Sequence, residues 1–188
     1  MTPDHAFRVI GLAGSLRRAS FNRMLLRAAQ ELAPARLQID IHDIAAVPLY
    51  NQDVEDAGTP ESVALLRQAI RDGDGLLIGT PEYNHGVPGV LKNTIDWLSR
   101  PPRDSVLNMK AAAIMGASPG MGGTARAQTQ LRQAFVFTNT FAMLQPEVLV
   151  ARAREKFDAE GRLTDDGTRA FLAKFLNEFV SWIARVNP

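Results

Sequence analysis

Apolar positions along the 188-residue chain fall into two alternating textures. The first is the short unbroken run. FRVIGLA, Phe7–Ala13, is apolar at almost every position and stops at Gly14, as expected of a strand covered on both faces. Residues 37–41, 75–80 (GLLIGT), 110–117 (KAAAIMGA) and 148–150 repeat that texture. The second is a recurrence every three or four residues. Met24, Leu25, Ala28, Ala29 and Leu32 lay an apolar stripe on a helix over about 21–32. Thr59 followed by Pro60 provides an N-cap and a first-turn proline for a helix reaching about Arg71. Pro88 opens a helix that runs through VLKNTIDWLS to Pro101, residues 124–137 read as a fourth, and residues 165–186 as a long amphipathic fifth.

Strands separated by helical stretches of this length make βαβ units, hence a parallel sheet with helices on both faces. Five strands and five helices predict the α/β flavodoxin-like fold, a five-stranded parallel sheet in the order 2-1-3-4-5. No internal repeat, low-complexity segment or linker interrupts the pattern, so residues 1–188 are expected to form a single domain. In such a sheet ligands bind beyond the carboxyl ends of the strands, where the winding reverses. That point lies between the first and third strands, with the fourth beside the third. The loops leaving those three ends are GSLRRASFN (14–22), TPEYNHGVPG (80–89) and ASPGMGGT (117–124), the stretches richest in glycine, hydroxyls and unusual polar residues.

Composition narrows the chemistry. An apolar share of 46% with 22% charged residues is ordinary for a globular chain, and 21 basic against 20 acidic side chains leave a net charge of +1. There is no basic footprint for nucleic acid and no polybasic membrane anchor. With no cysteine, thiolate metal sites, iron–sulfur clusters, disulfides and a cysteine nucleophile are excluded together. His5, His42 and His85 have no metal-ligand spacing, and no metal is expected. The N-terminal apolar run is short and flanked by charges, and no stretch approaches the roughly 18 apolar residues of a membrane span, so a soluble cytoplasmic protein is expected.

The first loop lacks both GxGxxG and GxxxxGK[ST], so neither a dinucleotide pyrophosphate loop nor a P-loop is supported. It offers instead the hydroxyls of Ser15 and Ser20, the amide of Asn22, the guanidinium groups of Arg17 and Arg18, and a helix N-terminus. Converging donors of this kind suit a terminal phosphate, a dianion with three acceptor oxygens. An ordinary cap at Ser20 or Asn22 with solvated arginines accounts for the same residues. The second loop sets Tyr83, Asn84 and Gly86 between Pro81 and Pro88, a stiff frame that could present amides to the polar edge of a flat heteroaromatic ring. It also reads as a stiff connection with His85 exposed. In the third loop three glycines after Ser118 allow close approach of a ligand, or simply a flexible turn.

With these loops in place, the chain resembles the NADPH-dependent FMN reductase family, especially its bacterial quinone and chromate reductase branch. The matching motifs are GSLRRASFN, TPEYNHGVPGVLKNTIDWLSRP at 80–101, and the Ser118 loop followed by LRQ at 131–133; the likeness runs from Arg8 to about Val150. The resemblance implies that Ser15, Arg17, Ser20 and Asn22 bind the FMN phosphate. It places Pro81, Glu82, Tyr83 and Asn84 at the isoalloxazine and ribityl side and Ser118 near the ring. Phe21 and His85 are counted among the cofactor-binding residues. Residues 91–98 are similar to a helix used in subunit contacts, which implies a homodimer or homotetramer, although Val90, Leu91, Ile95 and Leu98 suit a core-facing side equally.

The activity implied is an FMN-dependent NAD(P)H oxidoreductase. Hydride passes from NADPH or NADH to the flavin N5, and electrons then pass to a small acceptor such as a quinone, chromate, an azo compound or free flavin. Because the cofactor carries the chemistry, no catalytic side chain is expected. A flavodoxin-like electron carrier on the same fold would favour strong acidity for docking, which +1 does not provide. A receiver-type signalling domain needs acidic strand ends where this chain has Ala13, Gly14, Gly79 and Thr80, and a dinucleotide-binding domain needs the missing glycines.

Overall fold

The uninterrupted apolar runs hide a strict alternation that only the packed sheet displays. In the computed structural model, which describes residues 6–187, Val9, Leu77, Ala111, Ala113 and Met115 face one helical layer. Ile10, Leu12, Leu76, Ile78, Ala112 and Ile114 face the other. These side chains come from β1 (Phe7–Ala13), β3 (Gly75–Gly79) and β4 (Ala111–Ala117), each covered on both faces. The first layer holds α1 (Phe21–Glu31) and α6 (Asp166–Val186), with Phe175 and Phe179 fully buried. The second holds α3 (Glu61–Asp72), α4 (Gly89–Leu98) and α5 (Ala125–Thr138), with Trp97 and Phe135 buried.

The sheet is parallel, and with β2 (Leu37–His42) at one edge and β5 (Phe141–Ala142) at the other its order is β2-β1-β3-β4-β5, as the pattern predicts. The far edge corrects the expectation of five strands. It is divided between β5, paired with the start of β4, and β6 (Val148–Val150), paired with its end. The intervening stretch leaves the ladder, and Pro146 within it has no N–H to donate. A two-residue strand is too short to leave an apolar signature, whereas the run at 148–150 does.

Two helices also differ from the pattern. α2 (Gln52–Ala57) buries none of its residues, so it carries no apolar stripe to read, and it rests on an Asn51 cap. α3 begins one residue later than expected. Pro60 sits in extended backbone as the N-cap itself, without a side-chain cap bond, so Thr59 does not cap it. In α4, Leu91, Ile95 and Leu98 are at most 2% exposed, so its apolar stripe faces the core and its exposed residues are Gly89 and Lys92.

Candidate functional site

The register of the three central strands brings their ends level. Ala13 lies opposite Gly79, and Gly79 opposite Met115. Two more main-chain bonds, Gly14 N–H to Gly79 O at 2.8 Å and Thr80 N–H to Met115 O at 2.9 Å, carry the alignment into the loops. Gly14 has no room for a side chain: a Cβ there would lie 2.9 Å from Leu91 Cδ2 and 3.1 Å from Pro81 Cδ. The first loop therefore packs directly on the second and on α4.

In the first loop Ser15 and Ser20 are buried to 5% and 4% exposure, while Leu16, Arg17, Arg18 and Ala19 between them are exposed. Ser20 is the N-cap of α1, its hydroxyl accepting from the amides of Asn22 and Arg23. Ser15 Oγ accepts weakly from the Arg17 amide at 3.4 Å. Arg17 and Arg18 form no ion pair among the described residues, and the amides of Leu16, Arg18 and Ala19 meet no acceptor there. The first turn of α1 carries no acidic side chain, so no carboxylate of that turn offsets its positive end.

Three side chains, Ser15, Asn22 and Glu82, tie the loops pairwise. Ser15 Oγ and Tyr83 Oη are 3.2 Å apart, joining the first loop to the second. Asn22, at 2% exposure, behaves like a piece of extra strand. Its Oδ1 accepts from Ala117 N–H at 2.8 Å and its Nδ2 donates to Ala117 O at 3.0 Å, joining the start of α1 to the end of β4. Glu82 joins the second loop to the helix that follows the third: one carboxylate oxygen accepts from the amides of Arg126 at 2.9 Å and Ala127 at 3.2 Å.

The second loop is a tight reversal. Tyr83 and Gly86 exchange both main-chain hydrogen bonds around Asn84 and His85, which have φ of 51° and 62°. Left-handed backbone at both central positions belongs to the I′ kind of turn, strained for any residue with a side chain and least so for asparagine. It leaves the amides of Asn84 and His85 pointing away from the turn, without partners among the described residues. Gln130 holds the exit, its Oε1 accepting from Val87 N–H at 2.6 Å. A groove of about 390 Å³ lies beside the turn, lined by His85, Arg126, Thr129, Gln130 and other residues of α5. In the third loop Ser118 is half-buried, and its hydroxyl accepts from Gly120 N–H at 3.1 Å.

Of the expected residues, Ser15, Arg17, Ser20, Pro81, Tyr83, Asn84, His85 and Ser118 therefore lie on the three adjoining loops. Phe21 does not turn its ring to them; it packs against Phe157, centroids 5.7 Å apart, as part of the α1 layer. Asn22 and Glu82 face backbone rather than open space. Gln130 and the α5 amides were missed, since no spacing in the sequence relates them to the second loop. A larger hollow of about 450 Å³ lies between β6 and the start of α6, and none of the candidate residues lines it.

The donor set fits FMN. Two hydroxyls, an unpaired guanidinium, free amides and a helix end with no acidic first turn suit a phosphate dianion. A rigid turn with two outward amides suits the acceptor edge of a flavin.

Comparison with known proteins agrees. The family model for NADPH-dependent FMN reductase matches residues 7–155. An NAD(P)H-dependent FMN reductase of Pseudomonas aeruginosa is 46% identical over 179 residues, covering 95% of this chain and 96% of its own. A 2-hydroxy-1,4-benzoquinone reductase from a Burkholderia species is 43% identical, covering 95% and 97%. Among solved structures, the flavoenzyme NAD(P)H:acceptor oxidoreductase FerB of Paracoccus denitrificans superposes with a TM-score of 0.89 at 39% identity, covering 96% of this chain and 98% of its own.

Proposed function

The chain belongs to the NADPH-dependent FMN reductase family, and from that membership we propose that it is an FMN-dependent NAD(P)H oxidoreductase with a quinone-type small-molecule acceptor. The observation that carries the reading is the convergence of three cross-tied loops, with unpaired anion donors on one and outward amides on another, at the level ends of β1, β3 and β4.

When bound, FMN supplies the redox chemistry, accepting hydride from NAD(P)H and passing electrons to the acceptor. The protein's part is to hold and shape. Arg17 and the hydroxyls of Ser15 and Ser20 take the phosphate at the positive end of α1. Asn22 acts one step back, pinning that end of α1 to β4. The amides of Asn84 and His85 donate to the polar edge of the ring, Tyr83 and Pro81 wall the loop side, and Ser118 lies across from them. Glu82 serves this site through α5 rather than by touching the ring. No acid–base side chain is required.

The reading extends to one FMN-binding unit spanning the chain, a cytoplasmic location and a homodimer or homotetramer. Among the described residues no helix is long and apolar enough to cross a membrane. Because the apolar stripe of α4 is used inside the chain, the subunit contact falls to outward faces such as that of α5, where Val136 and Phe137 are 83% and 78% exposed.

The test is spectroscopic. Purified protein is expected to carry or take up FMN, to bleach anaerobically with NADPH, and to regain its colour on adding a quinone. Chromate, an azo dye and free flavin run alongside to rank acceptors. A colourless protein that cannot be reconstituted with FMN overturns the reading.

A further inference from the structure

The start of α5 is capped from an unexpected direction. A helix leaves its first four amides unpaired, and the N-cap side chain ordinarily takes one or two of them. Here the N-cap, Thr124, makes no cap bond; its hydroxyl is fully buried and accepts from Gln128 Nε2 at 3.0 Å. That hydroxyl is also walled in, since a Cβ on Gly116 would come within 1.9 Å of it. No acidic residue stands in the first turn of α5. The second and third helical amides, Arg126 and Ala127, are instead taken by Glu82, which lies 44 and 45 residues earlier in the chain.

Glu82 stands immediately before Tyr83, the first residue of the strained turn. Its side chain is only 12% exposed, and its bond to the Ala127 amide is partly shielded from solvent. The accompanying contact with the Arg126 guanidinium, at 3.5 Å and 61% exposed, is open to water and adds little. At the other end of the turn the Gln130 bond to Val87 makes a second, separate tie to α5. The Asn84–His85 pair is thus bracketed by two anchors on one helix. Left-handed backbone at two non-glycine residues persists only where its surroundings over-determine it.

We propose that Glu82 is a positioning residue: by capping α5 from the second loop it locks the Asn84–His85 turn, the third loop and α5 into one rigid body, and so sets where the turn amides stand relative to the flavin ring. The proposal rests on the FMN reading above and deepens it. It separates the two ends of the cofactor. Arg17 governs retention at the phosphate end, while Glu82 governs the ring end without touching it.

The experiment is amide hydrogen exchange on the full chain, with and without FMN, for the wild type, Glu82→Ala, Glu82→Gln and Gln130→Ala. It is paired with the visible spectrum of bound flavin and with kcat and KM for NADPH. Glu82→Ala is expected to speed exchange about tenfold at the turn and, together with it, at Arg126 and Ala127. The flavin band should shift and KM rise. Glu82→Gln keeps a carbonyl acceptor and should restore most of the protection. Gln130→Ala should loosen the turn exit and leave Arg126 and Ala127 protected. Wild-type exchange in Glu82→Ala, or faster exchange with an unaltered flavin spectrum and KM, overturns the proposal. Equal opening of the α5 amides by Gln130→Ala overturns it too. If the wild type binds no FMN, the functional reading falls, while exchange in the FMN-free chain still decides whether Glu82 couples turn and helix.

Discussion

Asn22 and Arg17 stand five residues apart in one motif and do different work. Asn22 is buried with both ends of its amide on the Ala117 backbone, whereas Arg17 is exposed and has no ion-pair partner among the described residues. Removing a buried amide leaves an N–H and a carbonyl without partners, which costs about 2–4 kcal/mol. Denaturant unfolding of FMN-free Asn22→Ala should show a loss of that order, and that of Arg17→Ala almost none. FMN titration should show the converse emphasis, with Arg17→Ala weakening affinity about tenfold or more through a lost charge-assisted bond. An Asn22→Ala protein of wild-type stability would return Asn22 to the phosphate. The motif was legible in the sequence and this division within it was not. A phosphate ligand and a backbone clamp call for the same polar side chains, and the clamp's partner lies 95 residues away.

Elements depend on their caps, and α6, the longest helix, has the best-defined one. Asp165 accepts from the Thr168 hydroxyl and the Lys156 ammonium, and from the Thr168 amide, and its carboxyl is held down from 3.8 to about 2. A carboxyl whose folded value is depressed adds stability that is complete above its ordinary value and disappears as pH falls through the folded one. The stability gap between wild type and Asp165→Ala should therefore be constant near neutral pH, narrow below about pH 4 and close near pH 2. Acid titrations of the two proteins followed by far-ultraviolet circular dichroism measure it; a gap that persists unchanged at pH 2 refutes the assignment. The helix was readable from its long amphipathic stretch at 165–186, and the structure makes Asp165 its cap rather than its first residue. By contrast α2 and β5 were not, because the first buries nothing and the second is two residues long. Periodicity reports burial, and neither element has enough of it.

At the scale of the whole molecule, the apolar surface is uneven. Phe137 and Val136 on α5, with Met109 at 54% exposure, leave apolar side chains in water, while α4 shows mainly polar residues outward. A second copy of the chain covering the α5 face accounts for them within the dimer or tetramer proposed above. Phe137→Asp should then shift the mass measured by light scattering toward the monomer with little loss of secondary structure. An unchanged mass places the contact elsewhere.

What the sequence determined by itself was the order of strands and helices and the three loops at the reversal of winding. Those depend on local matters: unbroken apolar runs or helical recurrence of apolar residues, and glycine or proline where the chain must turn. Tertiary structure alone decided the rest. It divided the sheet edge in two, turned the α4 stripe inward, and joined Ser15 to Tyr83, Asn22 to Ala117 and Glu82 to α5. Such bonds form wherever folding leaves a donor and an acceptor facing each other at hydrogen-bond distance. They span 44 to 95 residues of chain, and no periodicity along the sequence records them.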